Sequence, residues 1–253
     1  MTSKYHKEIV KLLHSMDNKH NRYTNFCAFI EVSCIAIANR FYIETELGKT
    51  MEAEYMNIIA RYDKKDQEIL SKMLALVVLA LDEQPHDCLG EVFMQGELGS
   101  KELGQFFTPF TISEFMAQLN LSEVLNSDSM KQKGWFSLSE PTCGSGGMVI
   151  AAHKVIKAQG LDSATTFWCE ARDISTNGFW MTYIQLSLLN IPARVVLGNT
   201  LAMEERRVLY TPAFLMNGWF EKIKQAEETG LEPINTPQWE PEQLEIFANG
   251  TLF

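Results

Sequence analysis

A turn stripped of side chains constrains this chain more than any other feature. "EPTCGSGG", residues 140–147, ends a short alternating stretch, GWFSLSE (134–140). It opens a helical pattern from Gly147 to Gln159 that Gly160 is placed to stop. Glycine at a strand-to-helix turn lets the backbone approach a ligand with no Cβ in the way. The pattern then repeats. TTFWCEARD (165–173) reads as a second strand, and Ser175 as the N-cap of a helix to Asn190 with Trp180, Ile184 and Leu188 on one stripe. ARVVLGN (193–199) reads as a third strand. Strand, helix, strand, helix, strand is the half-unit of a doubly wound parallel sheet, so the fold class is α/β.

Upstream, residues 1–100 read as a helical N-terminal domain. Phe26, Phe29, Ile30, Ile37 and Phe41 recur at helical spacing, as do Ile69, Met73, Leu76, Val77 and Ala80. The α/β domain is expected over 101–253, shortened after about 215, where Pro212, Pro233, Pro237 and Pro241 punctuate a weaker pattern. The most apolar run, Met73–Leu81, is far short of the roughly 20 residues of a membrane span. The N-terminus lacks the apolar stretch of a signal peptide, and the five cysteines form no CxxC pair, so a cytoplasmic protein with reduced thiols is expected. The histidines show no HxxxH or HxH spacing, and no metal site is expected. A net charge of −10 argues against a chain that grips nucleic acid unaided, since phosphate contacts supply most non-specific affinity. Either the basic residues gather on one face or a partner supplies the grip.

In a doubly wound sheet the ligand lies across the carboxyl ends of the strands. EPTCGSGG is neither G-x-G-x-x-G nor a P-loop and offers no lysine to a phosphate. Asp173 ends the second strand, where a carboxylate accepts ribose hydroxyls, and Asn199 ends the third, where an amide meets an adenine edge. Taken singly, Asp173 reads as a helix-start charge and Asn199 as a turn residue. Three polar strand ends in register favour a nucleoside ligand without a triphosphate.

These segments resemble the S-adenosylmethionine site of the gamma-class adenine-N6 DNA methyltransferases, the family containing type I restriction modification subunits. GELGSKELGQFFTPFTISEFMAQL (96–119) resembles the leading segment, EPTCGSGGM (140–148) the glycine loop, and ARDIS (171–175) and GNTL (198–201) the ribose and adenine segments. The resemblance covers about residues 90–202 and implies a Rossmann-like S-adenosylmethionine-dependent domain. It places Phe107, Thr108 and Pro109 beside the methionine part, with Thr108 facing its carboxylate. Gly144 and Gly146 border the amino-acid moiety, Asp173 the ribose and Asn199 the adenine, and Glu140, Pro141, Cys143, Ser145, Ile174 and Thr200 complete the cofactor-binding set that the resemblance implies.

The family's catalytic segment is Asn/Asp-Pro-Pro-Tyr/Phe, and this chain contains no Pro-Pro, Asn-Pro or Asp-Pro dipeptide. YTPAF (210–214) takes its place, giving Thr211, Pro212 and Phe214 as the catalytic candidates. The exocyclic amine of adenine is a poor nucleophile because its lone pair is delocalised into the ring. The family's amide and a following carbonyl accept both amine hydrogens, and the aromatic residue stacks on the flipped base. A threonine hydroxyl is a weaker acceptor, and losing one such contact costs about 2.7–4 kcal/mol, or roughly 10²–10³ in rate. The 52 residues after 201 are too few for four further sheet strands, their helices and a DNA-recognition element, so target recognition is expected to come from elsewhere, through a separate partner, or not to occur. Three functions stay open: an adenine-N6 DNA methyltransferase, a catalytically silent cofactor-binding subunit of a restriction-modification or phage/plasmid defence system, and another nucleobase modification with the same cofactor.

Other residues read more plainly. Cys143 serves packing sooner than nucleophilic attack, for no histidine is near it in sequence. His153 reads as a core or surface residue, and Arg206 and Arg207 as a solvated pair or a phosphate contact. EQLEIF (242–247) resembles the peptide that docks on bacterial sliding clamps through Gln243, Leu244, Ile246 and Phe247. A tail strand packed on its own domain is the alternative.

Overall fold

The computed structural model describes residues 4–17, 19–96, 98 and 107–231. Five helices come first: α1 (Lys4–Ser15), α2 (Arg22–Tyr42), α3 (Glu46–Ile59), α4 (Lys64–Glu83) and α5 (Cys88–Gln95). A side chain closes the start of each of the last four. Asn21 accepts from the Thr24 N–H, Thr45 from Gly48, Asp63 from Asp66 and Asp87 from Gly90. Such caps satisfy amide donors that have no partner within the helix.

From residue 107 the order is α6 (Phe110–Asn126), α7 (Asp128–Lys133), β1 (Phe136–Glu140), α8 (Gly147–Ala158), α9 (Ser163–Thr166), β2 (Phe167–Asp173), α10 (Thr176–Leu188), β3 (Ala193–Leu197), β4 (Arg207–Tyr210), α11 (Pro212–Met216) and α12 (Trp219–Glu228). The strands lie in the order β1-β2-β3-β4. The first three are parallel, with Glu140 beside Ala171 and Asp173 beside Leu197, so their carboxyl ends share one edge. β4 instead runs antiparallel to β3, with Arg207 opposite Leu197 and Tyr210 opposite Arg194. A parallel partner needs a crossover of about a dozen residues or more, and the connection from Gly198 to Arg206 is a hairpin. Its tightness fixes Gly198, where a Cβ would stand 1.8 Å from the Glu204 carbonyl oxygen.

Side chains alternate across the strands. Phe167, Cys169 and Ala171 of β2, with Ala193, Val195 and Leu197 of β3, enter the larger core shared with α2, α5, α8 and α10. That core runs from Ile9 to Leu209, so the first five helices and the α/β part bury one continuous apolar interior. Tyr42 Oη accepts from the Tyr210 N–H at 2.8 Å, and Arg207 donates to both Glu54 oxygens at 2.9 and 2.7 Å, tying α2 and α3 to β4. On the other face, Trp168 joins Tyr210, Phe214, Trp219 and Phe220 in a second cluster under α11 and α12. The same face carries two buried guanidiniums, Arg172 and Arg194, each bridged to Glu170 and Glu205 at 2.6–3.2 Å. The result is a mixed α/β fold whose second sheet face is covered by two short helices and an ion cluster. Among the described residues, no helix is long and apolar enough to cross a membrane.

Candidate functional site

The glycine turn between β1 and α8 holds its shape through the end of β2. The Cys143 N–H donates to the Arg172 carbonyl at 2.9 Å. The Gly144 N–H donates to Asp173 Oδ2 at 2.8 Å, and the Ser175 N–H to Asp173 Oδ1 at 2.7 Å. Gly144 and Gly146 sit at φ +55° and +92°, a region that penalises any residue with a Cβ. At Gly144 a Cβ would also stand 2.9 Å from the Phe107 ring, and at Gly178 one would meet the Asp173 carboxyl carbon at 2.9 Å. The Thr182 hydroxyl donates to the Gly144 carbonyl at 3.0 Å from the facing helix α10. The third strand closes in as well, with the Gly198 N–H on the Asp173 carbonyl at 2.9 Å and Thr200 Oγ1 on the Pro141 carbonyl at 2.5 Å. Gly144, Asp173 and Asn199 therefore converge on one edge, through a chain of bonds that no single strand supplies.

A cavity of about 220 Å³ opens on this edge, lined among others by Phe107, Thr108, Thr142, Gly144, Met148, Asp173 and Asn177. Each carboxylate oxygen of Asp173 accepts one backbone N–H, and each has a second lone pair for a ligand hydroxyl. The start of α8 adds its free amides at Gly147 and Met148, and no acidic side chain in its first turn competes for them.

Behind the loop lies a buried group that the sequence reading did not find. Asp87 accepts from Ser145 Oγ at 2.5 Å, from Gln185 Nε2 at 2.9 Å and from the Gly90 N–H at 3.0 Å. Gln185 also donates to the Ser145 carbonyl at 2.7 Å and accepts from the Leu89 N–H at 2.9 Å. Burial pushes the Asp87 carboxyl up, against the pull of its three donors. An acid just ahead of an apolar helix is a recognisable N-cap signal, and Asp87 is that cap. Its second role depends on contacts to residues far along the chain and leaves no local signal.

The expected cofactor residues divide. Phe107, Thr108, Cys143, Gly144, Ser145 and Asp173 line the cavity. The Ser145 hydroxyl, however, is committed to Asp87. Glu140 is half-buried, and that burial pushes its carboxyl up while the Thr142 N–H at 3.3 Å opposes the shift. Pro109 and Pro141 are exposed beside the site, and Gly146 is buried as the N-cap of α8. Ile174 points to solvent at 62% exposure. Asn199 Oδ1 accepts from the Leu201 and Ala202 N–H groups at 3.0 and 3.3 Å, so its oxygen shapes the hairpin turn. The segment before Phe107 in GQFFTP lies outside the described residues, as do Gln243, Leu244, Ile246 and Phe247 of the clamp-like peptide.

The structure places the catalytic candidates away from the cavity. Because β4 runs back along β3, YTPAF returns to the amino edge of β3, opposite the cavity. Thr211 is fully buried there, its Oγ1 donating to the Ile191 carbonyl at 2.7 Å and accepting the Ala193 N–H at 2.9 Å. Pro212 opens α11, and Phe214 is buried against Trp168, Tyr210 and Phe220. The hydroxyl and the ring are thus part of the packing. Cys143 is also packing: it is buried, burial pushes its thiol up, and the Thr182 hydroxyl lies 3.4 Å from its sulfur. Of the two arginines, Arg207 is held by Glu54, while Arg206 donates to the Ile174 carbonyl at 2.8 Å at the rim of the site.

Residues 88–238 match the family model described as N-6 DNA methylase. The chain belongs to the N-6 DNA methylase family. No curated protein and no solved structure matches it. The match begins at α5 and spans the glycine loop, Asp173, the hairpin and α12. Enzymes of this family use S-adenosylmethionine, and the residues present fit it. The cradle at Gly144 and Gly178 would be filled by any Cβ, and the Asp173 carboxylate is held in one orientation with lone pairs to offer. In a family member those groups would hold the amino-acid end and the ribose hydroxyls respectively. The bound cofactor supplies an electrophilic methyl.

Proposed function

We propose that this chain is the S-adenosylmethionine-binding subunit of an adenine-N6 DNA modification system of the restriction-modification or phage/plasmid defence kind. It does not transfer the methyl by itself. One observation carries this reading: Thr211, which stands where the family's catalytic amide is sought, is sealed between Ile191 and Ala193 on the edge away from the cavity. An adenine amine needs two acceptors at the methyl to localise its lone pair, and no side chain of 210–214 reaches that place. The doubly wound relation of the α/β part to the methyltransferases belongs to this same proposal, as does the role of 140–201 as the cofactor half. Beside the Asn199 turn, Ile174, Leu201 and Met203 stand 62, 98 and 75% exposed, an apolar rim where we place the partner that presents the target base. The net charge of −10 agrees with DNA being gripped elsewhere in the assembly.

The test is methyl transfer. Chain alone, mixed with labelled S-adenosylmethionine and adenine-containing duplex DNA, leaves the DNA unlabelled, and label appears once the cognate recognition subunit is added. Label on adenine from the purified chain alone would defeat the silent-subunit reading.

A further inference from the structure

Two histidines and a cysteine meet beside Asp87, and none of the three lines the cavity described above. His6 comes from α1, His86 from the loop before α5, and Cys88 opens α5. Their donor atoms all lie within 4.8 Å of one another. His6 and Cys88 are buried.

The ring nitrogens reveal the arrangement. The two Nε2 atoms face each other at 2.8 Å. His86 Nδ1 lies 2.6 Å from the Gln84 carbonyl, so it must carry a proton, and neutral His86 then has its lone pair on Nε2. His6 Nδ1 lies 3.1 Å from the Glu91 carboxylate, an ion-pair distance at an angle that misses a good hydrogen bond. If His6 puts its single proton on Nε2 to meet His86, its Nδ1 lone pair faces a carboxylate, and two acceptors oppose each other. If it puts that proton on Nδ1, toward Glu91, both Nε2 lone pairs converge on one point. A histidine ligand whose other nitrogen faces a carboxylate or a backbone carbonyl is the usual outer arrangement of a metal site.

We propose that His6 Nε2, His86 Nε2 and Cys88 Sγ bind a zinc-class divalent transition metal, with Glu91 and Gln84 as the groups orienting the two rings. Zinc takes nitrogen at about 2.0–2.1 Å and sulfur at about 2.3 Å in tetrahedral geometry. In that geometry the donors stand roughly 3.3–3.7 Å from one another, so the two Nε2 atoms, 2.8 Å apart here, separate by about 0.5 Å while the sulfur closes in by up to about 1 Å. The donor set is two imidazoles and a thiolate, which excludes magnesium and calcium, the oxygen-binding hard ions. Binding replaces the Cys88 S–H bond with a sulfur–metal bond and releases the proton to solvent. The metal would fasten α1 to the segment whose next residue after His86 is Asp87, the residue that holds Ser145 and Gln185 behind the glycine loop.

The experiment is a Co²⁺ titration of the full chain, kept reduced and first stripped of metal with a chelator. The expected result is a thiolate-to-cobalt charge-transfer band and tetrahedral d–d bands that saturate at one equivalent and are displaced by zinc. Cys88→Ser removes the charge-transfer band, and His86→Gln, in a half-exposed loop, lowers Co²⁺ affinity at least tenfold. Cys27→Ser retains both signals. Should Cys88→Ser fail to fold, the histidine variant decides, its fold checked by circular dichroism. Absence of a thiolate band in the wild type, or an unchanged titration in folded His86→Gln, overturns the proposal in favour of a protonated His6 paired with Glu91.

Discussion

Gly144→Ala probes the cradle most sharply, because two separable penalties meet at one position. The backbone stands at φ +55°, where a residue other than glycine costs about 1–3 kcal/mol. The new methyl would lie 2.9 and 3.0 Å from two carbons of the Phe107 ring. That ring packs edge-on against Phe93 with centroids 5.4 Å apart, an arrangement worth about 0.5–1.5 kcal/mol that is lost if the ring retreats. Gly160→Ala is the matched control, since Gly160 has φ +75° and nothing within 4 Å of its notional Cβ. Both substitutions stiffen the unfolded chain equally, so their difference in urea unfolding isolates the clash. Gly144→Ala should lose about 1 kcal/mol more than Gly160→Ala. It should also weaken S-adenosylmethionine at least tenfold by calorimetry, while Gly160→Ala leaves affinity unchanged. Equal losses of stability together with equal affinities would refute the reasoning.

Further outcomes follow from other parts of the fold. Thr211→Val keeps the shape but leaves the Ile191 carbonyl and Ala193 N–H without the hydroxyl; chemical denaturation should show a loss of about 1–3 kcal/mol with cofactor affinity unchanged. Glu170→Ala removes one of two carboxylates between the buried Arg172 and Arg194 and should cost about 3–5 kcal/mol by the same measurement. His153 is buried, and burial, aided by Lys157, pushes its imidazole down to about 4 from 6.5. The folded state thus binds this proton less readily than the unfolded chain. Its contribution is fully present above about pH 6.5 and falls away as pH drops toward 4, a loss of about 3 kcal/mol. Urea midpoints measured across that window should decline less steeply in His153→Gln than in the wild type.

What the sequence made legible is what local pattern encodes. The three parallel strands, the helix from Gly147, the stop at Gly160 and the helix after Ser175 stand within about two residues of their expected places. Their signals are short-range: alternation, a glycine at positive φ, an apolar stripe. Ser175 precedes α10 as expected, although its side chain makes no cap bond. The fourth strand was not legible, because RVLY carries barely two alternations and MEERR looks like solvated charge. Missing that hairpin misplaced YTPAF, for its spacing after Asn199 says how far the chain runs and nothing about its direction. Asp87 was hidden for a similar reason, since its partners Ser145, in the glycine loop, and Gln185, on α10, reach it only through tertiary packing at the start of α5. His86 and Cys88 are neighbours in sequence, but His6 joins them only through the approach of α1 to the start of α5, which no sequence spacing shows.

The most direct measurement is calorimetric titration of S-adenosylmethionine into the wild type and Asp173→Ala. In the proposed reading, the carboxylate that orders Gly144 and Ser175 also offers its remaining lone pairs to the ribose. The expected result is saturable binding at one site in the wild type and at least a tenfold weaker isotherm in a folded Asp173→Ala. Identical isotherms for the two proteins, or no heat from either, would contradict a cofactor site at this edge of the sheet.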